Sequence, residues 1–113
     1  MAKKPTFLAE AVVFDEPVQS SGSGGVVTTV WSERLSCRAQ FIYSRGSEVV
    51  EAARLEGRPI YKLRVRSCRA ARSITTSWRM RDARRGTVYS IREIDSLSDR
   101  EWVYVVIEGG KAP

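Results

Sequence analysis

Apolar side chains are dense from Phe7 to Phe14 and then give way to Asp15-Glu16-Pro17, a turn signal that predicts the end of a first strand. The next stretch, Val18 to Gly25 (VQSSGSGG), offers only Val18 to a core. Its Gly and Ser residues predict a long flexible loop. From Val26 to Tyr43 the chain reads VVTTVWSERLSCRAQFIY, with β-branched and aromatic residues and neither Pro nor Gly. Within it Leu35, Cys37, Ala39 and Phe41 alternate with Arg34, Ser36, Arg38 and Gln40, which predicts one long bent strand or two short strands in succession.

Ser47 can cap a helix, Glu48 and Glu51 suit its N-terminal dipole, and Gly57 and Pro59 stop it, so a short helix is expected over Glu48–Glu56. Ile60 to Cys68 is the clearest half-buried strand, with Tyr61, Leu63 and Val65 set against Lys62, Arg64 and Arg66. Arg69 to Thr76 reads as a polar, basic connection. Trp78, Met80 and Asp82 then alternate with Arg79 and Arg81, and a turn at Arg84-Arg85-Gly86 leads into a strand from Thr87 to Ile94. Glu101 to Glu108 is apolar on both faces, as expected of a central strand. The predicted fold is all-β and mainly antiparallel: a small barrel or sandwich of about six strands, with one short inserted helix and a long flexible loop. A chain of 113 residues fits a single domain, with residues 1–6 and 109–113 as flexible tails.

Charge adds a partner to this picture. The net charge is +6 and histidine is absent, which favours an acidic partner and removes the usual general base and the commonest metal ligand. Cys37 and Cys68 stand apart with no CxxC pair, so no zinc site is expected. They read as reduced cytosolic thiols, with a disulfide between neighbouring strands as the alternative. Glu10, Asp15 and Glu16 interrupt the N-terminal apolar run, so no signal peptide is expected, and no apolar run approaches the ~20 residues of a membrane span. The expectation is a protein made in a cytoplasm, with no membrane partner and no cofactor.

Between Arg64 and Arg92 lie nine arginines (64, 66, 69, 72, 79, 81, 84, 85 and 92) and one acid, Asp82. Alternation accounts for Arg64, Arg66, Arg79 and Arg81 as the solvated side of a strand. It does not account for Arg69, Arg72, Arg84 and Arg85, whose forked guanidinium groups suit carboxylates or phosphates. Arg84 and Arg85, at a hairpin tip, are expected to meet an adjacent subunit's carboxylates or the phosphates of DNA. The tryptophans and tyrosines read mostly as core, with base stacking as the alternative. Glu48 and Glu51 read as surface residues rather than an acid–base pair. The serines have no activating partner, and the chain carries no GxxxxGK[ST] or GxGxxG loop.

The order of these pieces resembles the tailed-bacteriophage head–tail joining family, the head-closure, adaptor or stopper proteins, over residues 7–108. Its elements here are Gly24-Gly25 leading to Trp31, the helix start Gly46-Ser47-Glu48 and the basic strand Tyr61-Lys62-Leu63-Arg64-Val65-Arg66. Trp78-Arg79-Met80-Arg81 and Val88 to Ile94 follow, before the apolar closing strand. The turn at Arg84-Arg85-Gly86 lacks the second glycine that relatives often carry. The resemblance implies a non-enzymatic virion subunit that forms a homo-oligomeric ring in the neck, joins the portal or adaptor ring to tail-side neck proteins, and helps to retain the packaged double-stranded DNA. Contact residues expected on this reading are Ser20, Ser21, Gly22, Ser23 and Gly24 of the loop, Glu51 and Arg54 of the helix, and Arg69, Arg72, Arg79, Arg81, Arg84 and Arg85. The layer, adaptor or stopper, stays open. The competing class is an independent nucleic-acid-binding barrel whose arginines track a phosphate backbone; a hydrolase or nuclease is disfavoured by the missing histidines and the lack of an acidic metal cluster.

Overall fold

A computed structural model describes residues 8–42 and 58–110. Six strands, β1 (Glu10–Ser21), β2 (Val27–Ile42), β3 (Ile60–Arg66), β4 (Arg79–Asp82), β5 (Val88–Asp95) and β6 (Trp102–Glu108), form one antiparallel sheet. It closes on itself in the order β1-β2-β3-β6-β5-β4. The predicted fold class holds, and β6 is central, with β3 on one side and β5 on the other. Alternation explains why the closure is stable. Val12, Phe14, Leu63, Val65, Met80, Val103, Val105 and Ile107 come from four strands and point into one core, each essentially inaccessible to solvent.

Four readings are corrected. Asp15-Glu16-Pro17 does not stop the first strand: β1 runs straight through it to Ser21, with a bulge opposite Phe14/Asp15. The expected flexible loop at 18–25 is therefore largely the end of a hairpin, in which Val18 to Ser21 pair with Val30 to Val27. Only Gly22 to Val26 turn the chain, closed by a hydrogen bond from the Gly22 N–H to the Val26 carbonyl (2.6 Å), with Gly24 and Gly25 at positive φ. The Arg69–Thr76 connection contains one helical turn, α1 (Arg69–Arg72), capped by the Cys68 sulfur and anchored by the buried Ala71. Gly109, read as tail, is buried, and its N–H donates to Pro59 O. The helix expected at Glu48–Glu56, with Glu51 and Arg54, lies outside the described residues. Cys37 and Cys68 are free thiols.

Candidate functional site

Among the described residues of this basic chain three acids are buried: Asp15, Asp82 and Glu108. A buried carboxylate is stable only when its charge is matched, and each is held by arginine. Asp15, in the middle of β1, lies opposite Arg79 of β4 and next to Arg81 on the same strand. Arg79 Nε donates to it at 2.8 Å, while Arg81 donates through Nε at 2.7 Å and through a terminal nitrogen at 3.1 Å. Burial opposes ionisation of Asp15, but the bonds from Arg81 and Arg79 outweigh it and hold its carboxyl below the usual carboxylate range. Arg81 also reaches Glu33 at 3.4 Å.

Asp82 ends β4 and shapes the turn that follows. Its Oδ1 accepts the backbone N–H groups of Arg84 and Arg85, and its Oδ2 takes a 2.7 Å bond from the Arg85 side chain. Burial again opposes the charge, yet these bonds lower its pKa. Arg85 spans onward to Glu10 at 3.0 Å. The turn closes at Gly86, whose φ of 76° suits glycine. At the far end of β6, Glu108 is flanked by Arg58 at 2.8 Å and Arg92 at 3.0 Å.

The expected arginine face is thus divided. Arg79, Arg81 and Arg85 serve carboxylates of their own chain, so the carboxylates that Arg85 was expected to find on a neighbour include Asp82 and Glu10 within the same subunit. Arg69, Arg72 and Arg84 are exposed and make no ion pair among the described residues; Arg72 bonds to Ser67 Oγ at 3.0 Å. Ser20, Ser21, Gly22 and Gly24 are brought together at the exposed hairpin end with Ser23, away from the arginine clamps.

Sequence reasoning passed over the outer surface of β3 and β6. There Arg64 and Arg66 lie over the Trp102 ring at 3.9 and 4.5 Å, and Lys62 lies over Tyr104 at 5.3 Å. Arg64 also donates to Gln40 of β2 at 2.7 Å. The alternation on β3 marked these cations as outward; that β6 would place Trp102 and Tyr104 beside them could be known only from the pairing. Arg79 covers Trp31 in the same way, at 4.5 Å. Each contact is a cation–π pair, and it leaves less ring face open for a base. Trp78 and Trp102 are buried as expected, whereas Tyr61 is exposed at one end of the sheet. Among the described residues no group of His, Cys, Asp or Glu has the arrangement of a metal site.

Residues 4–110 match the phage head completion protein family. The chain belongs to that family. The likeness of its fold extends to solved structures at low sequence identity. A Shigella flexneri 2a protein determined in solution superposes with a TM-score of 0.68 at 13% identity, covering 98% of this chain and 100% of that one. A chain in the virion of a native gene transfer agent particle superposes with a TM-score of 0.60 at 18% identity, covering 90% of this chain and 94% of that one. No curated protein matches the chain by sequence. Membership in the head completion family and the closed six-stranded sheet agree with the family resemblance and the all-β fold class read from the sequence.

Proposed function

We propose that this chain is a structural subunit of a phage virion, and that copies of it form a ring in the neck that joins the portal or adaptor side of the head to the tail and helps to retain packaged DNA. The observation that carries this reading is the family match across nearly the whole chain. The presence of a similar fold in a virion particle supports it. The geometry fits an assembly role: a rigid, arginine-clamped sheet carries an exposed hairpin at one end. Three arginines at or near its turns, Arg69, Arg72 and Arg84, stay available for carboxylates of neighbouring proteins or phosphates of the packaged duplex. The isolated chain, with a net charge of +6, is expected to be a monomer or weak oligomer that forms its ring only on a portal or neck template.

An independent nucleic-acid-binding barrel is the weaker reading. Two of the rings that would stack single-stranded bases, Trp31 and Trp102, are covered by the chain's own cations. Complementation separates the two. Heads made without this protein should package DNA but join no tails, and the purified chain should restore joining. Normal joining in its absence would overturn the proposal.

A further inference from the structure

The β1–β2 hairpin outruns the rest of the sheet. β4 pairs with β1 only from Val12 to Asp15, and β3 pairs with β2 only from Ala39 to Ile42. Beyond those points Glu16–Ser21 and Val27–Glu33 pair only with each other among the described residues, so there the ribbon carries an unpaired strand edge on both sides. Such edges invite further pairing, and proteins usually guard them with charge. Here the segment from Pro17 to Ser32 contains no charged residue, in a chain that is 28% charged. Val18, Val26, Val27 and Val30 are 37–61% exposed on it.

Two hydrogen bonds fix which backbone groups face outward. The Gly22 N–H bonds to Val26 O, so with the observed register 20/28, 18/30 and 16/32 are the bonded pairs. The N–H and C=O groups of residues 17, 19 and 21 on β1, and of 27, 29 and 31 on β2, therefore point away from the ribbon. The Ala83 N–H bond to Ala11 O sets the same parity from the other side of β1, because odd residues there face β4. Pro17 agrees: lacking an N–H, it occupies an outward position where no ladder bond within the hairpin is lost. The β1 edge is thus partly blocked, and the β2 edge at Val27, Thr29 and Trp31 is open.

We propose that the open β2 edge of one copy takes the β1 edge of a second copy of this chain, so that the ribbons pair side by side around the ring. Copies related by rotation about an axis along the ribbons would set β2 of one antiparallel to β1 of the next, which is the pairing a hairpin already uses. The contact is heterologous, with two different edges meeting, as a closed ring requires. A neutral ribbon is also the surface on which copies carrying +6 each can meet with least repulsion. This inference rests on the proposed ring and adds the element that closes it.

The test uses full-length Thr29→Pro and Thr29→Ala variants added to DNA-filled heads that lack this protein. Proline at position 29 removes one outward N–H and leaves the bonded pairs of the hairpin intact. Alanine keeps that N–H, and both variants lose the contact of Gln19 Nε2 with Thr29 Oγ1. Circular dichroism should show both folded. Thr29→Ala should form rings on the heads as the wild type does, whereas rings of Thr29→Pro should fall by about tenfold or more. If wild type and Thr29→Pro form equal rings, edge pairing is overturned and the ring survives. If the wild type forms no ring, both readings fall. Should Thr29→Pro not fold, amide exchange on the wild type decides: residues 27–31 gain protection on assembly, or the proposal is wrong.

Discussion

Asp15 ties β1 to β4 through Arg79 and Arg81, and Asp15→Asn tests that clamp with little change of volume. The substitution converts three charge-assisted hydrogen bonds, from Arg79 and twice from Arg81, into at most weak neutral contacts, and turns an amide donor towards guanidinium donors. Hydrogen bonds to a charged group contribute about 1.5–3 kcal/mol each to net stability. The aspartate side chain is 2% exposed, but those of Arg79 and Arg81 are 22% and 34% exposed, so water replaces part of what they lose. A net loss of about 2–4 kcal/mol at pH 7 is expected. In urea, with a slope of about 1–2 kcal/mol per molar, that is a midpoint lower by about 1–4 M at unchanged slope. The pH dependence supplies a second check. The folded-state pKa of Asp15 is lowered, so its contribution is fully present above the unfolded value of about 3.9 and is lost as pH falls through the folded value. The gap between wild type and Asp15→Asn should therefore close below about pH 4. A difference under about 0.5 kcal/mol at pH 7, or one that persists undiminished in acid, would refute the clamp.

Three further outcomes follow from the same contacts. Arg84→Ser should leave stability within about 0.5 kcal/mol of wild type, while Arg85→Ser should lower the melting temperature because it strips Asp82 of its cation; equal effects in calorimetry would contradict this division. The wild type should hold its stability from pH 7 to 5 and lose it steeply below about pH 4, since Asp82 as well as Asp15 has a lowered pKa; urea titrations with a flat acid limb would be inconsistent with both. The Cys37 thiol is pushed up to about 11 by burial and by the nearby Cys68, so in the native protein a maleimide should label the exposed Cys68 first and Cys37 only after unfolding, as mass spectrometry would show.

Local pattern made β3, β4, β5 and β6 legible within a residue or two: β3 and β4 alternate between a core face and a wet face, turn residues bound β5, and β6 is a continuous apolar run. It failed where pairing overrides local preference. Val18 to Ser21 form strand because Val27 to Val30 lie opposite them, and the mirror arrangement of Val18 and Val30 around the Gly-Ser-Gly-Gly turn was the available clue. Asp15-Glu16-Pro17 misled because a buried aspartate and an edge proline both look like turn residues until the partner strand is known. The arginines were visible as a cluster, but their uses were not: Asp15 is separated by 64 and 66 positions from the arginines that hold it. The outward parity of Arg64 and Arg66 was readable, while their shared ring, Trp102, required the pairing of β3 with β6.

The central claim is most directly tested by electron cryo-microscopy of intact particles of the phage that encodes this chain. The expected result is a ring of closed six-stranded subunits between portal and tail, absent from particles made without the protein. Density for the chain elsewhere in the particle, or a complete neck in particles that lack it, would contradict the proposed role.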